Sequence, residues 1–197
     1  MKDIVRQIDW VFLFIIAFSL VILAAITAVM IYFIFRYSRK RNPEPSALRG
    51  NWKVELAWMI VPTLIALSMF YFGWESFLGL RNVPSDALAI NVKAMQFSWV
   101  FEYPNKKESD SVLVVPQGKA VKLNMTSLDV IHGFYLPAFR IKMDVLKGMN
   151  TYTWFYADRI GTYTIFCTQY CGVGHADMRA TLRIVPSMEY DEWLNKK

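Results

Sequence analysis

The chain begins with two long apolar segments separated by a short polar stretch. Residues 10–35 carry no charged side chain, and residues 56–74 form a second uncharged segment of 19 residues. A helix that crosses the hydrocarbon core of a bilayer needs about 20 residues. The pattern therefore predicts a transmembrane hairpin over residues 1–79, with helices at about 10–35 and 54–79 joined by a loop at 36–53.

After a polar linker at residues 80–88, apolar and polar positions begin to alternate. In each of four runs, every second position is apolar or aromatic. These positions are Val121, Leu123 and Met125; Tyr152, Trp154 and Tyr156; Tyr163, Ile165 and Cys167; and Ala180, Leu182 and Ile184. Turn residues such as Pro104-Asn105 and Gly161 interrupt these runs. A period of two with regular turns predicts short antiparallel strands. Residues 89–197 are therefore expected to form an exported, all-β sandwich or barrel that the hairpin anchors to a membrane.

The last segment, residues 186–197, differs from the strands before it. Acidic residues come early in it and lysines come last, and Ser187 stands near its start. This order suits the dipole of a helix, and serine is a favoured N-cap. We expect a short terminal helix with Ser187 as its N-cap.

Positive charge is concentrated in the loop between the two apolar segments. Six of the 22 basic residues lie there, namely Arg36, Arg39, Lys40, Arg41, Arg49 and Lys53. The apolar segments on either side favour a cytoplasmic loop over a nucleic-acid site, because loops of membrane proteins that are rich in Lys and Arg remain on the cytoplasmic side. We therefore expect no nucleic-acid partner. The chain is predicted to be a multi-pass protein of the cell (inner) membrane, in contact with lipid, with both termini and the β domain on the outer or periplasmic side.

Every cysteine and histidine of the chain lies in two short segments of the β domain. The spacing is Cys167-x3-Cys171-x3-His175-x2-Met178, and the other histidine is His132. Thiolate, imidazole and thioether together are soft ligands that select copper. One copper would leave a thiolate unused, whereas two thiolates can bridge two coppers with one histidine on each. A disulfide between the cysteines is the alternative, and we favour copper.

The stretch CTQYCGVGHADM, together with the hairpin, the basic loop and HGFYLPAFRIKMDVLKG, resembles subunit II of the haem-copper oxidases of the cytochrome c oxidase type. The resemblance covers nearly the whole chain. It implies a cupredoxin-like Greek-key domain that holds a dinuclear copper centre. The ligands it implies are the bridging thiolates of Cys167 and Cys171, the imidazoles of His132 and His175, the thioether of Met178 and the backbone carbonyl of Gln169.

The same resemblance implies a role in respiration. The subunit would accept electrons from cytochrome c or a similar periplasmic donor and pass them to haem in subunit I, where dioxygen is reduced. Further membrane subunits are expected as partners. No residue of this chain is expected to be catalytic, because the ligand set leaves no open position for a substrate.

Three sites in the sequence bear on the functional details that the resemblance implies. Position 169 is commonly glutamate in the family and helps to hold magnesium, and the neutral amide of Gln169 argues against that ion here. The aromatic run that accepts electrons is often QWYW in the family and is here Gln96-Phe97-Ser98-Trp99. Trp99 matches its last position and Phe97 replaces the tryptophan of electron entry, so these two are the candidates for that role or are simply core residues. Glu55 matches a glutamate at the inner mouth of a proton path, and the alternative is an interfacial carboxylate beside Lys53.

Other classes of protein share parts of this pattern. A nitric oxide reductase with a copper-bearing second subunit stays open because of Gln169 and Phe97. A membrane-tethered copper carrier would offer exposed, exchangeable ligands and would not need a two-helix hairpin. A structural subunit that has lost its copper site is disfavoured by the complete ligand set.

Overall fold

The computed structural model describes residues 4–44 and 50–196 of the chain. It divides into two compact units, residues 1–79 and 80–197. Arg49, which the sequence places in the basic loop, lies outside the described residues.

The first unit consists of two helices, α1 (Ile4–Arg36) and α2 (Trp52–Arg81). Both are long and apolar enough to cross a membrane, and none of the residues in the most apolar part of either helix is buried within the chain. Phe14 of α1 packs edge-on against Phe72 of α2 at 5.5 Å between ring centroids. The helices extend beyond the apolar segments because backbone hydrogen bonding continues through polar residues at their ends.

The second unit is a sandwich of two five-stranded sheets. The first sheet has the order β3-β2-β1-β5-β8 and the second has the order β4-β10-β9-β6-β7. The strands of the first sheet are β1 (Leu88–Met95), β2 (Ser98–Glu102), β3 (Glu108–Asp110), β5 (Ala120–Ser127) and β8 (Thr151–Tyr156). Those of the second are β4 (Val112–Pro116), β6 (His132–Leu136), β7 (Ile141–Val145), β9 (Gly161–Cys167) and β10 (Arg179–Val185).

The expectation of a purely antiparallel arrangement is wrong. Strands β1 and β5 pair in parallel, and so do β4 and β10. Alternation along a strand shows which side chains share a face, but it is the same for either direction of pairing. The chain crosses repeatedly between the two sheets, and these crossings bring some strands together in parallel.

The core of the sandwich lies between the two sheets. Its large, fully buried side chains include Trp99, Phe101, Phe134, Ile165 and Leu182. Because both sheets contribute these residues, the strands that carry the candidate ligands rest on a packed interior.

The terminal helix α3 (Ser187–Asn195) is present, but its N-cap is Pro186. No side-chain hydrogen bond caps the helix, so the prediction that Ser187 is the cap is wrong. Pro186 has an extended backbone conformation, which places Ser187 inside the first turn.

Candidate metal centre

Two strands of the second sheet bring the first candidate ligand residues together. His132 is the first residue of β6 and Cys167 is the last residue of β9. The strands are antiparallel neighbours with Phe134 opposite Cys167. A strand start and a neighbouring strand end therefore meet at one edge of the sandwich, which explains how residues 35 positions apart share a site.

The remaining ligand residues lie on the loop from 168 to 178, which is fastened at both ends. The Thr168 N–H donates to the Gly133 carbonyl at 2.9 Å, and the Cys167 N–H donates to the Met178 carbonyl at 3.1 Å. A Cβ atom on Gly133 would collide with the Thr168 hydroxyl. Glycine at this position thus permits the loop to lie directly against β6.

The donor atoms form a continuous group around the two sulfurs. Cys167 Sγ lies 3.9 Å from Cys171 Sγ and 3.9 Å from His132 Nδ1. Cys171 Sγ lies 3.6 Å from His175 Nδ1 and 3.7 Å from Met178 Sδ. The coordinating atoms of His132, Cys167 and Cys171 all lie within 4.8 Å of one another. Each sulfur thus has one imidazole nitrogen beside it.

Four of the five side chains are shielded from solvent, and the fifth, His175, is partly exposed. His132 is fully buried, and Cys167, Cys171 and Met178 are 8%, 5% and 1% exposed. Burial, together with the neighbouring Cys167, raises the pKa of the Cys171 thiol to about 11. The thiol is therefore neutral near pH 7, and a bound metal would displace its proton.

These residues fit copper better than the alternatives. Both cysteines are free thiols, and their separation of 3.9 Å is far from the roughly 2.05 Å of a disulfide. The structure thus contradicts the disulfide interpretation. Two sulfurs, two imidazoles and a thioether form a soft donor set, which suits copper and exceeds what a structural zinc site requires.

Comparison with known families decides the wider identity. The family model for "Cytochrome C oxidase subunit II, periplasmic domain" matches residues 85–185, and that for the "transmembrane domain" of the same subunit matches residues 2–75. The chain belongs to the cytochrome c oxidase subunit II family. It is a membrane-anchored electron-transfer subunit of a haem-copper terminal oxidase, an oxidoreductase complex with other subunits, and its family binds copper.

Curated relatives match over nearly the full chain. Cytochrome c oxidase subunit 2 of Cereibacter sphaeroides is 27% identical, and the match covers 99% of this chain and 77% of the relative. Alternative cytochrome c oxidase subunit 2 of Bradyrhizobium diazoefficiens is 29% identical over 89% of this chain and 75% of its own length. The predicted membership of this family is confirmed.

A solved structure supports the fold of the sandwich. The periplasmic domain of subunit II of cytochrome oxidase (CoxB) of Bradyrhizobium japonicum is 34% identical, with a TM-score of 0.56. The match covers 57% of this chain and 94% of that domain. The predicted cupredoxin-like domain after a two-helix anchor is thereby confirmed.

Gln169 has two separate contacts in this subunit. Its backbone carbonyl lies 3.3 Å from Cys167 Sγ, whereas the Met178 thioether lies beside the other sulfur, Cys171 Sγ. Its side-chain amide lies 3.4 Å from Asp144 Oδ1. The amide N–H₂ group donates to that carboxylate, so the side chain has a partner of its own while the backbone carbonyl faces the sulfur.

The two aromatic candidates occupy different positions. Trp99 is fully buried, and its ring lies 6.1 Å from the His132 ring and 5.4 Å from the Phe134 ring. Phe97 is partly buried and lies against the ligand loop, where a Cβ on Gly174 would be 2.5 Å from its ring. Glu55 lies in the first turn of α2 and is not among the residues that the sandwich brings together.

Sequence reasoning missed two polar residues at the site. Asp129 Oδ1 lies 2.8 Å from His132 Nε2, and Asp129 Oδ2 accepts the Gln96 N–H at 2.7 Å. Burial opposes ionisation of Asp129, but the hydrogen bonds from His132, Gln96 and Val130 outweigh it and lower the pKa of the carboxyl to about 2. The signal available in the sequence was a carboxylate three residues before a ligand histidine.

Proposed function

We propose that this subunit holds a dinuclear copper centre that accepts electrons outside the membrane and passes them to a haem-bearing partner subunit. The proposed ligands are Cys167 and Cys171 as bridging thiolates, His132 and His175 as imidazoles, and Met178 and the Gln169 carbonyl as weak ligands. We further propose residues 1–79 as the membrane hairpin, residues 80–88 as the linker and residues 89–197 as the exported copper domain.

The observation that carries this proposal is the pairing of two sulfurs with two imidazoles. One copper of the usual type uses a single thiolate, and here both thiols lie at 3.9 Å from each other with an imidazole nitrogen beside each. A second metal accounts for the second thiolate. When bound, such a pair of coppers supplies reversible one-electron storage.

The protein holds the proposed ligands on rigid backbone elements. His132 and Cys167 lie on paired strands, and the loop that carries Cys171 is fastened to β6 and to Met178. Side chains in a packed interior occupy fixed rotamers. The burial of His132, Cys167, Cys171 and Met178 supports a relay and argues against a copper carrier, because a carrier needs ligands that a partner can reach.

The route by which electrons arrive is proposed from the aromatic residues. Phe97 lies against the ligand loop and reaches the surface in part, while Trp99 lies behind His132 in the core. We propose Phe97 as the electron-accepting contact and Trp99 as the inner aromatic. From residue 90 onward the domain has 13 basic and 10 acidic residues. The domain therefore has no strong acidic bias to steer a basic cytochrome, so we propose as donor either cytochrome c, docked without strong electrostatic steering, or a similar periplasmic electron carrier.

The membrane segment supports a proposal for the orientation of the chain and another for the role of Glu55. The basic residues of the described loop, with Arg36 at its start, support a cytoplasmic loop and a periplasmic copper domain. Glu55 lies at the loop end of α2, and we propose it at the inner mouth of a proton path.

In the copper domain, the contact of the Gln169 amide with Asp144 supports a hydrogen bond in place of a magnesium ion.

The test is copper content and electron spin resonance on the full chain in detergent, loaded with copper. We expect two coppers per chain with one unpaired electron shared equally by both. Met178→Leu should keep both coppers, whereas Cys171→Ser should lose the shared signal. One copper with a localised signal in the wild type would overturn the dinuclear assignment, and absence of copper would leave only a structural subunit.

A further inference from the structure

The ligand residues depend on a second set of side chains that hold no metal themselves. Both oxygens of Asp129 are occupied, Oδ1 by His132 Nε2 at 2.8 Å and Oδ2 by the Gln96 N–H at 2.7 Å. The Gln96 side chain then donates from Nε2 to the Cys171 carbonyl at 2.5 Å. Three segments that are distant in sequence are thereby joined at one place.

We propose that Asp129 and Gln96 are positioning residues that hold His132 and the Cys171 loop in one frame. We call this connection the Gln96–Asp129 bridge. The proposal rests on the copper centre proposed above for its consequence in the loaded protein, but the geometry of the bridge exists without metal.

The first function of the bridge is to select one tautomer of His132. A carboxylate oxygen only accepts, so the hydrogen on the His132 ring must be on Nε2, which faces Asp129. Nδ1 is then the nitrogen with a free lone pair, and it is the one that faces Cys167 Sγ at 3.9 Å. A partner on one ring nitrogen thus prepares the other for a metal.

The second function is to connect the two halves of the site. Gln96 is the only described residue that donates both to Asp129 and to Cys171, through its backbone N–H and its side-chain amide respectively. Gln96 thereby adds a side-chain connection between His132 and the loop to the backbone bonds that already hold the loop to β6. Loss of such outer partners commonly lowers metal affinity by about 10–100-fold.

The two residues can be tested separately. Asp129→Ala removes both acceptors, whereas Gln96→Ala removes only the bond to Cys171 because its backbone N–H remains. We expect Asp129→Ala to release copper to a chelator at least about tenfold faster and to change the spin-resonance spectrum. Gln96→Ala should release copper a few-fold faster, and Asp129→Asn, which keeps one acceptor oxygen, should lie between wild type and Asp129→Ala.

Matched controls are available in the same domain. Gln117 donates from its side-chain amide to the Asp158 carbonyl at 3.1 Å and contacts no ligand. Gln117→Ala and Asp158→Asn should therefore leave copper release and the spectrum unchanged. Circular dichroism and thermal melting of each variant identify any that fail to fold.

A metal-free measurement keeps the inference separate from the copper proposal. The chain has only two histidines, so nitrogen-15 spectra of the metal-free full chain, labelled at histidine, report them individually at a pH where both are neutral. We expect His132 to be held with its hydrogen on Nε2 in the wild type and to exchange between tautomers in Asp129→Ala. If the wild type binds no copper, the function proposed above fails while this result still decides the inference. An Nδ1–H tautomer in the wild type, or identical spectra and copper release in Asp129→Ala, would overturn it.

Discussion

Leucine residues in the two units have opposite environments. In the hairpin, Leu23 and Leu67 are 62% and 57% exposed within the chain, whereas in the sandwich Leu123 and Leu182 are fully buried. The hairpin leaves its apolar surface for lipid and for other subunits of the oxidase. The sandwich buries its own apolar surface, so its packed core can hold the candidate metal ligands in fixed positions. The same residue type thus stabilises an external contact in one unit and an internal core in the other.

The sharpest test of this comparison replaces one leucine in each unit. Leu182→Ala should lower the free energy of unfolding of the sandwich by about 2–5 kcal/mol, because it opens a cavity in a closed core. Leu67→Ala should leave that free energy unchanged. Chemical unfolding of the full chain in detergent, followed by near-ultraviolet circular dichroism, measures both. An equal loss in the two variants would break the comparison.

A glycine pair gives the next largest effect. In Gly174→Ala the new methyl would lie 2.5 Å from the Phe97 ring, so the ring or the ligand loop must move. Overpacking of this kind costs about 1–3 kcal/mol. Gly73→Ala in α2 is the matched control, since nothing lies within 4 Å of its added methyl. Thermal melting of the sandwich should fall only for Gly174→Ala, and an unchanged melting temperature would show that Phe97 is not held by the loop.

A smaller effect is expected where α3 joins the sandwich. Lys107 Nζ donates to the Trp193 carbonyl at 2.5 Å and to the Lys196 carbonyl at 2.6 Å, and it lies 4.4 Å from the centre of the Trp193 ring. Lys107→Met should cost about 1 kcal/mol, because it removes a cation over an aromatic ring and a donor to helix-end carbonyls.

Amide hydrogen exchange provides the measurement for α3. Exchange in the helix should accelerate in Lys107→Met and stay at the wild-type rate in Lys119→Met, a change of an exposed lysine. Equal exchange in both variants would mean that α3 is held by its apolar side chains alone.

The smallest effect concerns acid stability. Hydrogen bonds from Lys93 and Lys106 lower the pKa of Glu102 from 4.5 to about 2. A carboxyl with a lowered folded-state pKa stabilises the fold above its unfolded value and loses that contribution as the pH falls. Stability should therefore decline between about pH 4.5 and 2, and this part of the decline should be absent in Glu102→Gln. Urea midpoints of the wild type and of Glu102→Gln across that range measure it, and an equal decline in both would contradict the assignment to Glu102.

The hairpin and the candidate ligand set could be predicted from the sequence for local reasons. An uncharged segment as long as residues 10–35 has few structural alternatives, because its backbone must satisfy its own hydrogen bonds in lipid. The candidate ligands from Cys167 to Met178 lie within 12 residues, so spacing and chemistry predict them together. The helix ends were less accessible, because polar residues continue α1 back to Ile4 and α2 on to Arg81.

The sequence did not show which face of each strand is buried or in which direction neighbouring strands run. In β8, the alternation of Tyr152, Trp154 and Tyr156 with their neighbours shows two faces, but it does not show which is inside. The structure places Phe155 in the core and leaves Tyr156 38% exposed. Aromatic side chains supply apolar surface on either face, so only the second sheet decides the matter.

By itself, the sequence determined the membrane hairpin, the β character of the second unit, the copper-type donor set and the family. These follow from segment length, periodicity and residue chemistry, which are properties of neighbours along the chain. Only the tertiary structure decided the parallel pairings, the contact of Phe97 with Gly174 and the connection of His132 to Cys171 through Asp129 and Gln96. Those features join residues that are far apart in sequence, and such contacts form only when both sheets have closed over one core.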